Sequence, residues 1–490
     1  MPETIPASKP FQNLTRQTEV STSTVVFREA AFSGTGLFRY LVVAIVLGFI
    51  LIPVRQVVAS EELFTSRAVV TGLDYPWQIT WGPDGHLWVT ERNGKRVSRV
   101  NPTNGSKIVL VEINEAYAKG SQLGLLGMAL HPKLLQHMGE DYVYAAYTYL
   151  EGAEGSGTRH AKIRRYTYDL STQSLGKPLD IISGLPASND HNSGRLKIGP
   201  DGKLYYTIGD QGANQSWNKC NVNRAMNLPS AADVSVRDWS LYQGKILRLN
   251  LDGSIPVDNP VIGSVRSHVY SYGHRNAQGI VFAPTGKLYS SEHGPKTDDE
   301  VNLIRAGKNY GWPRVAGYID NKAYSYDNWS AAKPTPCRSL QYSAVRTPAE
   351  VPRLKEISFV DANFVPPIKT FGTVDDDFKF ERPDCSGASC YPSIAPSSIE
   401  FYSSNTIPNW GNSLLIPSLK RGTVFRLKLS ADGNSIVRDA LEVWRTKNRY
   451  RDVAINPDGK RFYIVTDKEG ENPGAILEFE YQTSKPRVAH

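Results

Sequence analysis

One phrase recurs six times along this 490-residue chain and limits what the chain can fold into. A turn containing Pro, often Pro-Asp-Gly, leads into an alternating apolar run. The clear copies are WGPDGHLWVTER (81–92), IGPDGKLYYTIGD (198–210), FAPTGKLYSSEHG (282–294) and INPDGKRFYIVTD (455–467). LHPKLLQHMGEDYVYAAYTY (130–149) and IPNWGNSLLIPSL (407–419) are looser copies. Pro fixes φ in such a turn and Gly supplies the positive φ. The alternation that follows marks a half-buried strand. Each copy closes on a polar or charged group. Six units over about 410 residues average about 70 residues each, whereas a four-stranded propeller blade needs roughly 40–50. The pattern therefore predicts an all-β chain: a six-bladed β-propeller of four-stranded antiparallel sheets with long loop insertions. Residues 321–372 contain Tyr, Ser, Pro and Cys337 but no blade phrase, and read as one such insertion. A pair of β-sandwiches would leave the repeated phrase unexplained.

With 40 Gly, 31 Pro and only 21% charged residues, the composition suits a turn-rich β protein rather than a disordered one. The net charge of +8 comes from scattered basic residues without a long Lys/Arg run, so nucleic acid is not an expected partner. No phosphate-cradling glycine motif is present, which argues against a nucleotide. Residues 1–36 are polar, and 37–60 (LFRYLVVAIVLGFILIPVRQVVAS) hold a short apolar core after Arg39. That core is shorter than the roughly 20 residues a membrane span needs, and fits a signal peptide at about 37–59. An uncleaved membrane anchor is the alternative. The expected division is 1–59, a polar lead plus signal peptide or anchor, and 60–490, the propeller, in a periplasmic or secreted protein. Four cysteines suit an oxidising compartment. Cys385 and Cys390 flank a short loop that a disulfide could close, while Cys220 and Cys337 are left open between pairing and free thiols.

Polar residues precede the repeat phrase at matching phase. They are Gln122 in GSQLGLLGMALHP, Asp190-His191 in LPASNDHNSGRLKIGP, Arg275-Asn276 in SYGHRNAQGIVFAP, and Arg449 and Arg451 in NRYRDVAINPDG. In a propeller such loops meet around one central opening, so these groups should share a cavity. An adjacent acid and imidazole suit general base chemistry, although a lone Asp-His pair in a loop is commonly just surface. Several arginines facing one cavity call for an anion, because unpaired clustered guanidinium groups are costly. Asp298, Asp299 and Glu300 form a second cluster, read either as a solvated acidic turn or as hard oxygen ligands for calcium.

From about residue 72 to 480 the chain resembles the soluble PQQ-dependent quinoprotein glucose dehydrogenases (glucose/sorbosone and aldose sugar dehydrogenases). The likeness lies in LPASNDHNSGRLKIGPDGKLYYTIGDQG, GHRNAQG, SEHGPKTDDEVNLI, KNYGWPRVAGY, NFVPPIKT, YPSIAPSS, PSLKRG and NRYRDV. The resemblance implies oxidation of the anomeric hydroxyl of aldoses such as glucose to the lactone. His191 would be the base, Asp190 its orienting carboxylate, Gln122 a partner of the sugar hydroxyl, and Arg275 a charge beside the quinone. Asn276, Lys420, Arg449, Arg451 and Ser393, with Arg275, would hold PQQ, a tricarboxylate suited to a cationic cavity. The carbonyls of Gly294 and Pro295 would hold a calcium ion at PQQ. Glu300, Tyr310, Ala316, Tyr318, Asp320 and Glu356 would hold structural calcium ions. The likeness also implies a homodimer that passes electrons to a small quinone, a dye or a cytochrome.

Departures from the family pattern gather at the rim. Ser393 stands for Thr, Tyr391 for Trp, Ala388 for Tyr, Ala213 for Arg and His293 for Gln, so the preferred aldose stays open. Two other readings compete. A calcium-dependent propeller lactonase or hydrolase would not need Arg275, Lys420, Arg449 and Arg451 together. A non-catalytic extracellular binding module would be free to lose His191.

Overall fold

The computed structural model describes residues 63–483. The expected signal peptide, and the boundary at residues 59 and 60, lie outside them. The described residues form six four-stranded antiparallel sheets arranged as a propeller. The innermost strands of the six blades are Pro76–Trp81, Leu125–Leu130, Leu196–Ile198, Ala277–Phe282, Glu400–Tyr402 and Tyr450–Ile455. In each blade the repeated phrase is the turn from the first strand to the second. Gly85, Gly202, Gly286 and Gly459 take φ values of 73°, 70°, 82° and 71° there. In each of these four turns the glycine N–H closes the loop onto the carbonyl three residues back, for example Gly202 onto Gly199 at 2.9 Å.

Alternation along the second strands buries both faces, one against each neighbouring blade. Leu204, Tyr206 and Ile208 pack toward blade two, and Tyr205 packs toward blade four. The six largest apolar clusters each lie between two adjacent blades, so the core is a ring of interfaces rather than one centre. The ring closes when the first described strand, Phe64–Val70, pairs antiparallel with Ile476–Tyr481 of the last blade. Beneath the central opening the buried Arg195 plugs the axis. It donates to Asp452 at 2.8 Å and lies 4.1 Å from the centre of the Trp77 ring.

Two long insertions meet at a disulfide. One, between the second and third strands of blade three, spans 209–244. The other separates Asp299–Ile304 from Lys369–Phe371 in blade four. The expected insertion at 321–372 is thus present, but its last residues form the fourth strand of that blade. Both pairs of cysteines form disulfides, Cys220–Cys337 and Cys385–Cys390, and the first of them joins the two insertions. Among the described residues no helix is long and apolar enough to cross a membrane.

Candidate active site

The loops that enter the first strands enclose a cavity of about 710 Å³. Hairpin geometry decides its composition. The residue that enters strand one and the residue that leaves strand two are neighbours across the hairpin. His191 therefore meets Asp210, the Arg275 N–H meets Glu292 at 2.9 Å, and Arg451 meets Asp467 at 2.9 Å. Gln122, His191, Arg275, Asn276, Gly294, Pro295, Ser393, Lys420, Arg449 and Arg451 all line this one cavity.

His191 has its backbone in the left-handed region (φ 47°), which is uncommon for a residue with a side chain. Its loop lies against Gly209, where an added Cβ would sit 2.0 Å from the His191 carbonyl oxygen. The ring Nδ1 lies 2.6 Å from Asp210 Oδ1. Asp210 is fully buried and also accepts from Asn223 Nδ2, Trp312 Nε1 and Gly212 N. Burial alone would raise its carboxyl, but His191, Arg275 and the Trp312 indole hold it below the ordinary range. An ionised carboxylate only accepts, so Nδ1 carries the proton and the Nε2 lone pair faces the cavity. The Gln215 amide N–H donates to that Nε2 at 3.2 Å, and its oxygen accepts from Arg275 Nη2 at 3.1 Å.

This geometry corrects one expectation. Asp210, not Asp190, orients the imidazole. Asp190 precedes His191 directly, so its carboxylate reaches only the Nε2 side, at 3.6 Å. There it accepts from Gln122 Nε2 at 2.6 Å and Gln215 Nε2 at 3.2 Å. A second correction concerns the arginines, which are not a cluster of unpaired cations. Arg451 is paired with Asp467, and Arg449 Nε lies 3.4 Å from Glu469. Arg275 is held by uncharged acceptors, Gln215 Oε1 and the His293 carbonyl. The cavity still has a surplus of positive charge. Arg92, Arg275, Lys296, Lys420, Arg449 and Arg451 face it, against the carboxylates of Asp467 and Glu469. The Arg275 Nε and the His293 Nε2 are buried without a hydrogen-bond partner. Burial, with Arg275 beside it, pushes the His293 imidazole down to about 3, so it is neutral at ordinary pH.

The acidic cluster is buried rather than solvated. Asp299 accepts from Gly294 N, Ser393 Oγ, Ile394 N and Ala395 N, which fixes the Gly294-Pro295 turn against the Ser393 loop. Glu300, Tyr310, Ala316, Tyr318, Asp320 and Glu356 stand apart from the cavity. Glu300 accepts from Gly317 N at 2.6 Å, and Glu356 from Ala316 N at 3.0 Å and Asn321 N at 2.9 Å. Burial raises the carboxyl of Glu300 well above the usual range, and that of Glu356 to about 7. Among the described residues no three metal-ligating side chains gather closely enough to hold an ion by themselves.

Sequence reasoning passed over Asp210 as the orienting group, and also Gln215, Arg92 and Asp467. Three of the four were signalled. Arg92, Asp210 and Asp467 are the last residues of their repeat phrases. Gln215 lies in an irregular insertion and had no such signal.

Comparison with known proteins follows the same outline. A family model described as glucose/sorbosone dehydrogenase matches residues 73–339 and 372–477. Quinoprotein glucose dehydrogenase B of Acinetobacter calcoaceticus is 43% identical over 452 residues, covering 88% of this chain and 94% of that protein. The aldose sugar dehydrogenase of Escherichia coli (strain K12) is 26% identical over 432 residues, covering 86% and 96%. The structure of the PQQ-bound aldose sugar dehydrogenase of Streptomyces coelicolor superposes with a TM-score of 0.58 at 26% identity, covering 85% of this chain and 98% of that one.

Proposed function

The chain belongs to the glucose/sorbosone dehydrogenase family, and from that premise we propose that it is a quinoprotein that oxidises the anomeric hydroxyl of aldoses to the lactone. The observation that carries this reading is one cavity in which a His191 Nε2 lone pair faces a surplus of cationic side chains. A base beside an uncharged sugar needs no such surplus. A tricarboxylate bound next to it does.

The residues fit pyrroloquinoline quinone (PQQ). The buried Arg275 Nε lacks a hydrogen-bond partner, and Lys420 is tethered to the carbonyls of Ala388 and Tyr391 at the rim. Arg275, Asn276, Ser393, Lys420, Arg449 and Arg451 would hold the cofactor. When bound, PQQ supplies the quinone that accepts the hydride. The protein's own part is proton transfer and positioning. Asp210 fixes the His191 tautomer and stabilises the imidazolium that forms. His191 Nε2 would take the proton of the anomeric hydroxyl as the sugar's C1–H bond gives up its hydride to the quinone. Gln122 and Gln215 line the approach, and Asp190 holds both of their amides in place. Arg275 presents a fixed positive charge, held by Gln215 and the His293 carbonyl. The cofactor carries the redox step.

Calcium fits as well. The carbonyls of Gly294 and Pro295 at the cavity would take one ion. The raised carboxyls of Glu300 and Glu356, with Asp320 nearby, are the hard, crowded donors that a divalent cation relieves. A Glu- and carbonyl-rich set of this kind would hold structural ions. The electron acceptor is a small quinone, a dye or a cytochrome.

The test is calorimetric titration of PQQ, with Ca²⁺ present, into the wild type and Lys420→Gln. Affinity should fall with added salt, and by about 10- to 100-fold in the variant, as for a lost charge-assisted hydrogen bond. An affinity indifferent to both would overturn the assignment of the cationic wall.

A further inference from the structure

Away from the catalytic cavity, one group of positive side chains has no counter-charge. Arg426 and Lys428 alternate onto one face of Val424–Lys428, the third strand of blade five. Lys428 lies opposite Ser413, where the second strand begins, so the pair stands beside the Pro-Asn-Trp-Gly turn at 408–411. The far end of that second strand, Pro417, leads to Lys420 at the cavity. The group therefore occupies the opposite end of the blade, and none of its members lines the cavity.

Arg426 is only 8% exposed. A guanidinium buried to that degree ordinarily has a carboxylate beside it. Here it lies 5.0 Å from the centre of the Trp410 ring, and Nη1 donates to the Asn409 carbonyl at 2.7 Å. Its Nε is buried without an acceptor. Lys428 donates to the Gly411 carbonyl, on the same turn. The exposed Arg438 is the third member. Burial and then repulsion from Arg438 hold the Arg426 guanidinium below its ordinary range, and burial, Arg426 and Arg438 do the same to Lys428. Among the described residues none of the three forms an ion pair with a carboxylate. Glu442, on the neighbouring strand, is taken by Arg445.

The two turn carbonyls satisfy some N–H groups but supply no charge. We propose that Arg426, Lys428 and Arg438 form an oxyanion site that takes a phosphate group, either free inorganic phosphate or the headgroup of an anionic phospholipid. A dianion with oxygens on several sides answers one guanidinium fork and two flexible cations together, whereas a single carboxylate answers one fork. The site is independent of the aldose-oxidation reading.

The test is calorimetric titration of sodium phosphate into the full chain at neutral pH and constant ionic strength. The wild type is compared with Lys428→Gln/Arg438→Gln, Arg438→Glu and Lys420→Gln. The first two variants spare Arg426, which packs on Trp410, and the last controls for phosphate entering the catalytic cavity. One binding event should weaken by about tenfold or more in the double variant and in Arg438→Glu, as charge-assisted hydrogen bonds are lost, and should persist in Lys420→Gln. Phosphate should also raise the thermal unfolding midpoint of the wild type more than that of the double variant. Co-sedimentation with vesicles of phosphatidylcholine, with and without phosphatidic acid, separates the two sources. Capture by phosphatidic acid that the double variant loses assigns the headgroup, and phosphate binding without capture assigns the free ion. No phosphate binding, or binding that is lost only with Lys420, would overturn the site.

Discussion

Asp210 is the residue on which the proposed proton transfer turns. Replacing it with Asn puts an amide opposite His191 Nδ1, where a carboxylate now accepts from three other donors as well. Asp210→Asn should lower kcat by about 10²- to 10⁴-fold. A kcat within about twofold of the wild type would leave Asp210 a packing residue. Much of this site is legible in the sequence: the phase of the repeats predicts that Gln122, His191, Arg275 and Arg451 share one opening, and all four line the same cavity. The partner of the imidazole is not legible there, because the residue adjacent in sequence, Asp190, is not the one that meets Nδ1 in space. Adjacent residues in a loop point apart. The true neighbour lies 19 residues on, across the hairpin.

At the scale of elements, the Pro-Asp-Gly phrase announced a turn and the strand after it, because both rest on local backbone rules that a single sequence displays. The insertions had no such rule. Their order comes from cross-links between distant segments, above all Cys220–Cys337, which joins residues 117 apart. Gln215 rides on that linked loop. Replacing both cysteines with serine should reduce stability by about 2–4 kcal/mol in thermal or urea unfolding. It should also lower kcat/KM by about 10- to 100-fold, since a misplaced Gln215 no longer holds Arg275 beside His191. Reduced stability with unchanged kinetics would show that Gln215 is positioned by its own loop alone. The acidic cluster illustrates the limit of local reading. Asp298, Asp299 and Glu300 look like a solvated run, yet all three are buried, and Asp299 and Glu300 begin an interior strand.

For the whole molecule, the six interblade cores make stability a property of the closed ring, and buried titratable groups make it depend on pH, the His268 imidazole among them. His268 lies between blade three and its insertion, bonded to Tyr242 and to the Gly253 carbonyl, and burial pushes it down to about 4. An unfolded histidine takes its proton near pH 6.5. Between about 6.5 and 4 the unfolded chain therefore binds more protons, so stability is complete above that window and falls as the pH drops through it. From pH 7 to pH 5 this amounts to about 2 kcal/mol. His268→Gln should flatten the dependence of the unfolding midpoint on pH over that range, and an equally steep curve would assign it to other groups. The blade count and strand order were legible because a repeat is a global pattern written locally. The preferred sugar was not legible, because the rim that selects it is built from non-repeating loops. The most direct measurement is dye-linked oxidation of glucose by the purified protein, first without additions, then with Ca²⁺, then with Ca²⁺ and PQQ, beside His191→Ala. Activity should arise only with both additions and be lost in the variant. No activity in any tube, or full activity without His191, would contradict a quinoprotein that uses His191 as its base.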